Sequence, residues 1–176
     1  LASFRDRFTI PKRPDGTDVI YLCGNSLGLQ PTAAVSLVRE ELEAWGAMAV
    51  SAHFAAERPW VSYADRLAPA TAALVGAHPS EVVTMNTLTV NLHFMMVSFY
   101  RPTPDRRKVL IEQPAFPSDR YAVESQIRFH GFDPADSLIE VGPRPNESTI
   151  RMEDLETCIC AEGSTIALVL LPGVNY

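Results

Sequence analysis

The spacing of apolar positions along the chain predicts alternating helical and extended stretches. A leading arm, residues 1–20, holds Arg5, Arg7, Lys12 and Arg13 among prolines and a glycine and leads to the short apolar run Val19-Ile20-Tyr21-Leu22. Gly24-Asn25-Ser26-Leu27-Gly28-Leu29 predicts a tight turn, because glycines on either side of Asn-Ser permit sharp backbone angles and a close approach to a ligand. Pro31 opens a helix with Ala34, Val38, Leu42 and Trp45 on one face and Arg39, Glu40 and Glu43 away from it. The segment from Met48 to Arg58 has no clear period and places His53 in a loop. A second helix follows Arg58-Pro59-Trp60, with Tyr63, Leu67, Thr71 and Leu74 on a shared face, Pro69 as an expected kink or split, and Gly76 as its stop.

The second half repeats the alternation. The β-branched run Glu81-Val82-Val83-Thr84 precedes Met85-Asn86-Thr87-Leu88-Thr89-Val90-Asn91-Leu92-His93, which opens an apolar helix reaching Phe99. Lys108 to Glu112 predicts a buried strand, and Ser118 is placed to cap a helix extending to Gly131. Leu138 to Val141 is a short strand, Met152 to Ala161 a helix ending at Gly163, and Thr165 to Leu171 an apolar run suited to a central strand covered on both faces. Strands alternating with helices predict an α/β fold around a mostly parallel sheet of four or five strands with right-handed crossovers.

Composition narrows the class. A 176-residue chain with 47% hydrophobic and 20% charged residues has enough apolar material for a domain core. No stretch approaches the ~20 apolar residues that span a bilayer, and a net charge of −6 without clustered Lys and Arg argues against nucleic acid or an anionic membrane. The charged start without an initiator Met points to a polypeptide that begins partway into its gene product and has no secretory signal. Cys158 and Cys160 flank one Ile in a helical run and are expected to be free thiols in a reducing compartment, the cytoplasm, rather than a zinc site. The sequon Asn146-Glu147-Ser148 carries little meaning without export.

Two places carry candidate chemistry. At the start of the apolar helix, either Thr87 or Thr89 caps the helix, or the unpartnered N–H groups around Leu88 and Thr89 hold an anion such as phosphate. After the Lys108–Glu112 strand, Phe116 and Asp119 fall between a strand's C-terminal end and a helix start, the edge where open α/β sheets bind ligands. There Phe116 is either a core residue or a ligand contact, and Asp119 either a favourable first-turn charge or part of a site.

Taken together, Tyr21-Leu22-Cys23-Gly24-Asn25-Ser26-Leu27-Gly28-Leu29-Gln30-Pro31, Arg58-Pro59-Trp60, the Met85–His93 stretch and Ala115-Phe116-Pro117-Ser118-Asp119 resemble kynureninase, in order and in spacing, over nearly the whole chain. The resemblance implies a homodimeric, pyridoxal 5′-phosphate-dependent hydrolase of tryptophan catabolism and NAD biosynthesis. Its substrates would be the small molecules kynurenine or 3-hydroxykynurenine, cleaved to alanine and anthranilate or 3-hydroxyanthranilate. It implies a three-layer fold of the PLP-dependent transferase type (fold type I), incomplete at the C-terminus. Residues 1–50 would then be an arm and small-domain helix at the dimer contact, and residues 51–176 the first part of the large cofactor domain. By the same resemblance Leu88 and Thr89 bind the cofactor phosphate, Phe116 stacks on the pyridine ring, and Pro117, Ser118 and Asp119 line the same site. Ser26 and His53 fall at the substrate end.

The departures are specific. The family's Schiff-base lysine, the aspartate that pairs with the pyridine nitrogen and a neighbouring tyrosine have no counterpart here; Lys12 and Lys108 are the only lysines. Pro172 stands where some relatives carry a hydroxyl residue near the cofactor. No catalytic residue is therefore assigned, and the isolated polypeptide is expected to be inactive and, with a cut sheet edge exposed, poorly soluble. The rival readings are another fold-type I enzyme, such as a cysteine desulfurase or aminotransferase, and a non-catalytic polypeptide that only dimerises.

Overall fold

The computed structural model describes residues 2–174; Leu1, the first residue of the leading arm, and Asn175 and Tyr176, the last of the expected cofactor domain, lie outside the described residues. Two compact units follow one another in sequence, Leu1–Thr84 and Met85–Tyr176.

The first unit is helical: α1 (Ala34–Met48), α2 (Ala52–Ala55) and α3 (Tyr63–Val75). Its buried side chains are small, namely Ala52, Ala56, Ala68 and Ala72. The apolar faces expected from periodicity are therefore not the buried ones: Val38, Leu42 and Trp45 on α1 and Leu67 and Leu74 on α3 are exposed. A period identifies an apolar stripe but not what covers it. His53 lies on α2 rather than in a loop, because residues 49–55 coil into short helical turns. Pro69 does not split α3, since a helix survives the loss of one N–H donor when its neighbours keep theirs. Gly76, at φ +71°, is the expected left-handed stop and donates to the Ala72 carbonyl.

Neither Val19–Leu22 nor Val82–Thr84 forms a strand. The described sheet accordingly has three strands, not four or five. It belongs to the second unit, whose order is α4 (Leu88–Phe99), β1 (Lys108–Glu112), α5 (Pro117–Phe129), α6 (Pro134–Ser137), β2 (Leu138–Val141), α7 (Met152–Glu162) and β3 (Ile166–Leu170). All pairing is parallel, in the order β2-β1-β3. Among the described strands β1 lies between the other two, with Leu110 opposite Ile139 on one side and Val169 on the other.

Alternation along β1 sends Val109 and Ile111 to one face, where they pack with Leu92 and Met96 of α4, Tyr100 just after it, and Ala122, Val123 and Ile127 of α5. Tyr100 is fully buried; its hydroxyl donates to the Arg107 carbonyl (2.6 Å) and its ring meets that of His130 edge-on at 5.2 Å. Burial pushes its phenol pKa up. The end of α4 therefore lies beside both the end of α5 and the approach to β1. Farther back, His93 of α4 and Gln126 of α5 are joined at 2.9 Å. Successive contacts 93–126 and 100–130 advance together, so the two helices run in the same sense. α5 starts where β1 finishes, so both helix N-termini point to the C-terminal edge of the sheet.

Packing of this kind makes Ile127 a sensitive position. Ile127→Ala deletes a fully buried side chain at the α5–β1 contact and is expected to lower stability by about 2–5 kcal/mol in urea denaturation. A second expectation concerns Lys108 at the start of β1, which donates to Glu162 at the end of α7 (2.6 Å). That bond, followed by one from Thr165, holds the Glu162 carboxyl below its ordinary 4.5. A depressed carboxyl contributes stability that is full above its unfolded pKa and is lost as pH falls through the folded one. Lys108→Met is expected to flatten this part of the acid limb, read from urea midpoints between about pH 3 and 6.

Candidate functional site

At the start of α4, Thr87 is extended (φ −99°, ψ 163°) and its side chain makes no capping bond. The first helical bond is from Asn91 N–H to the Thr87 carbonyl (2.9 Å), so the N–H groups of Leu88, Thr89 and Val90 point out of the helix end. No acidic or basic side chain belongs to the first turn; an anion there would meet N–H donors and the helix dipole. Leu88 is 71% exposed, so what it offers at this helix end is a backbone donor rather than a packed side chain. The loop before the helix is held by Asn91, whose amide donates to the Met85 carbonyl (2.8 Å) and accepts from Asn86 (3.3 Å). Asn86 sits at φ +46°, a conformation Asn adopts more readily than other side chains.

The second half of the site follows β1. Gln113 N–H extends the pairing to the Val141 carbonyl (2.8 Å), and a Cβ at Gly142 would lie 3.1 Å from the Gln113 carbonyl oxygen. A side chain at Gly142 would crowd the Gln113 carbonyl, so glycine suits this close approach of the two loops. Phe116 is the N-cap of α5, accepting from Asp119 N–H (2.9 Å) and Arg120 N–H (3.1 Å). This corrects the expected cap: Pro117 occupies the first helical position, which its fixed φ favours, and sets the start before Ser118. Ser118 turns its hydroxyl toward the Asp119 carboxylate (3.4 Å). The Phe116 ring is 49% exposed rather than a core residue. Arg120 ties this helix start to β2 through Glu140 (3.0 Å) and also bonds Glu124.

The structure thus brings Leu88 and Thr89 to the same sheet edge as Phe116, Pro117, Ser118 and Asp119. Ser26 and His53 lie in the first unit. The turn around Ser26 forms as expected: the N–H groups of Ser26 and Leu27 reach the Cys23 carbonyl (3.0 and 3.2 Å), and the Tyr21 hydroxyl donates to the Leu27 carbonyl (2.5 Å). His53 is exposed and meets the Trp60 ring edge-on at 5.3 Å. Among the described residues, no group of three or more His, Cys, Asp or Glu side chains is placed to hold a metal. The thiols are free, and burial pushes that of Cys158 up.

The two helix starts fit a group that joins a phosphate to a flat ring, such as pyridoxal phosphate: outward N–H donors for the anion, and a half-exposed aromatic at the same sheet edge. The lysines do not fit its covalent partner. Lys12 is paired with Asp18, and Lys108 lies at the N-terminal end of β1, the opposite edge from the helix starts. Asn91 and Arg120 brace the two helix starts; on α4 the signal for Asn91 was a polar residue in an otherwise apolar helix.

Asn91→Ala removes the brace on the loop before α4. It is expected to weaken binding of inorganic phosphate or pyridoxal phosphate about tenfold by calorimetric titration, the equivalent of about 1.4 kcal/mol, while the sheet's far-UV signature persists.

No protein-family model matches the sequence. Curated relatives do. The kynureninase of Koribacter versatilis (strain Ellin345) is 56% identical over all 176 residues, which span 42% of its length. That of Myxococcus xanthus (strain DK1622) is 52% identical over the whole of this sequence and 41% of its own. That of Salinispora tropica is 54% identical over 174 residues, 98% of this sequence and 41% of the relative. The 176 residues therefore span about two-fifths of the length of the curated relatives they match. Over all 176 residues the sequence is similar to the N-terminal part of the kynureninases.

Proposed function

We propose that the complete protein to which these residues belong is a pyridoxal-phosphate-dependent kynureninase of the fold type I class. It adds water across a carbon–carbon bond in the side chain of kynurenine or 3-hydroxykynurenine, giving alanine and anthranilate or 3-hydroxyanthranilate. What carries the reading is the identity to kynureninases over all 176 residues, joined to two helix starts at one sheet edge. The N–H groups of Leu88 and Thr89 bind the phosphate, with the α4 dipole in place of a basic side chain. Phe116 fixes the plane of the ring by presenting a flat apolar face, and Pro117, Ser118 and Asp119 close the same side. When bound, the cofactor supplies a ring that accepts electrons from the substrate. At the substrate end, His53 stacks on or hydrogen-bonds the aryl group and Ser26 meets polar substrate atoms. The amine that joins the cofactor covalently and the carboxylate on its ring nitrogen come from neither Lys12 nor Lys108 nor any other residue assigned here.

In this reading the protein is a cytoplasmic homodimer of the tryptophan and NAD pathways. Residues 1–50 form the arm and small-domain helix, and residues 51–176 part of the cofactor domain. That division concerns the complete protein, whereas compactness divides these residues at Thr84/Met85. Among the described residues no helix is long and apolar enough to cross a membrane.

The test is turnover of kynurenine by the complete protein, followed by anthranilate fluorescence. Cleavage is expected with the complete protein and none with the 176-residue polypeptide alone. Phe116→Ala is expected to weaken cofactor binding by up to about tenfold. Desulfuration or transamination without kynurenine cleavage would sink the reading.

A further inference from the structure

His53 is an exposed side chain, yet its surroundings are built. The Trp60 ring stands at 88° to the imidazole, and the Val61 N–H donates to the His53 carbonyl (3.2 Å), so both ring and backbone of His53 are held by one dipeptide. That dipeptide is held in turn from α1. An indole has a single donor, and Trp60 gives it to Glu41 Oε2 (2.8 Å). The other Glu41 oxygen accepts from Arg58 Nε (2.5 Å), so neither carboxylate oxygen is left without a partner. Arg58, only 16% exposed, also reaches Glu40 (2.6 Å). The hydrogen bond from Trp60, then that from Arg58, holds the Glu41 carboxyl below the usual carboxylate range. A charge-assisted bond of this kind restrains ring rotation more than a contact between apolar groups would.

We infer that Glu41, through Trp60 and with Arg58 as its counter-ion, is a positioning residue that sets the orientation of the His53 imidazole for the aryl group of the substrate. The inference rests on the proposed role of His53. A merely structural brace between α1 and the segment after α2 would use the same bonds but would have no reason to affect ligand binding through His53.

The two are separated by a double-mutant cycle in the complete, cofactor-loaded protein, with anthranilate as the probe and its fluorescence reporting the dissociation constant. Glu41→Gln, Trp60→Phe and His53→Ala are each expected to weaken anthranilate binding about tenfold and to raise KM more than they lower kcat, with the cofactor's absorbance unchanged. The double variant Glu41→Gln/His53→Ala is expected to bind no worse than His53→Ala. Trp60→Phe keeps an aromatic ring and removes only the indole donor, so it carries the comparison if Glu41→Gln does not fold. Additive losses in the double variant, or wild-type anthranilate affinity in both Glu41→Gln and Trp60→Phe, overturn the inference while leaving the role of His53 intact. Unchanged binding in His53→Ala overturns the role of His53 itself, and the inference with it.

Discussion

The second unit depends on burying one face of β1. Val109 and Ile111 need cover, and neither α4 nor α5 supplies it alone; the two helices must lie side by side on the strand. Once they do, a buried polar contact fixes how they slide. Gln126 gives its amide to His93, and its own carbonyl oxygen is buried without a hydrogen-bond partner among the described residues. A half-satisfied amide costs stability wherever it sits, so the pair fits better as a device that sets register than as a source of stability.

The site is a consequence of that register. Helices in the same sense over one strand present their N-termini, and hence their unpaired N–H groups and positive dipole ends, at the same edge. The two ends then take different roles. α4 offers donors because Thr87 does not cap it and its first turn carries no charge, whereas α5 begins on a half-exposed aromatic and is anchored through Arg120 to β2. In the proposed function anion and ring would be met by separate helices, each held by its own contacts.

The first unit works differently. Its buried side chains are alanines, and its specific geometry comes from charged and aromatic groups between helices: Glu41, Arg58, Trp60 and, at the end of this series of contacts, His53. This difference explains where reading the residues in order succeeded. Helices α4 and α7 and strands β1 and β2 were legible because their apolar pattern is local. The exposed stripes of α1 and α3 misled because alanine carries little hydrophobic signal yet packs most closely. The cap of α5 was misplaced because a proline's fixed φ outweighed a serine's hydroxyl.

The amino-acid sequence by itself determined the α/β alternation, the helix start at Leu88 and Thr89 with no basic partner, and the four motifs shared with kynureninases, since each is a matter of residue type and short spacing. Only the tertiary structure decided that β1 lies between β2 and β3, that α4 and α5 run in one sense, and that Glu41 reaches His53 through Trp60. Those facts rest on contacts between residues far apart in sequence, such as Gln126 on His93 and Trp60 on Glu41. Such contacts are selected by packing and hydrogen-bond geometry, which no local pattern encodes.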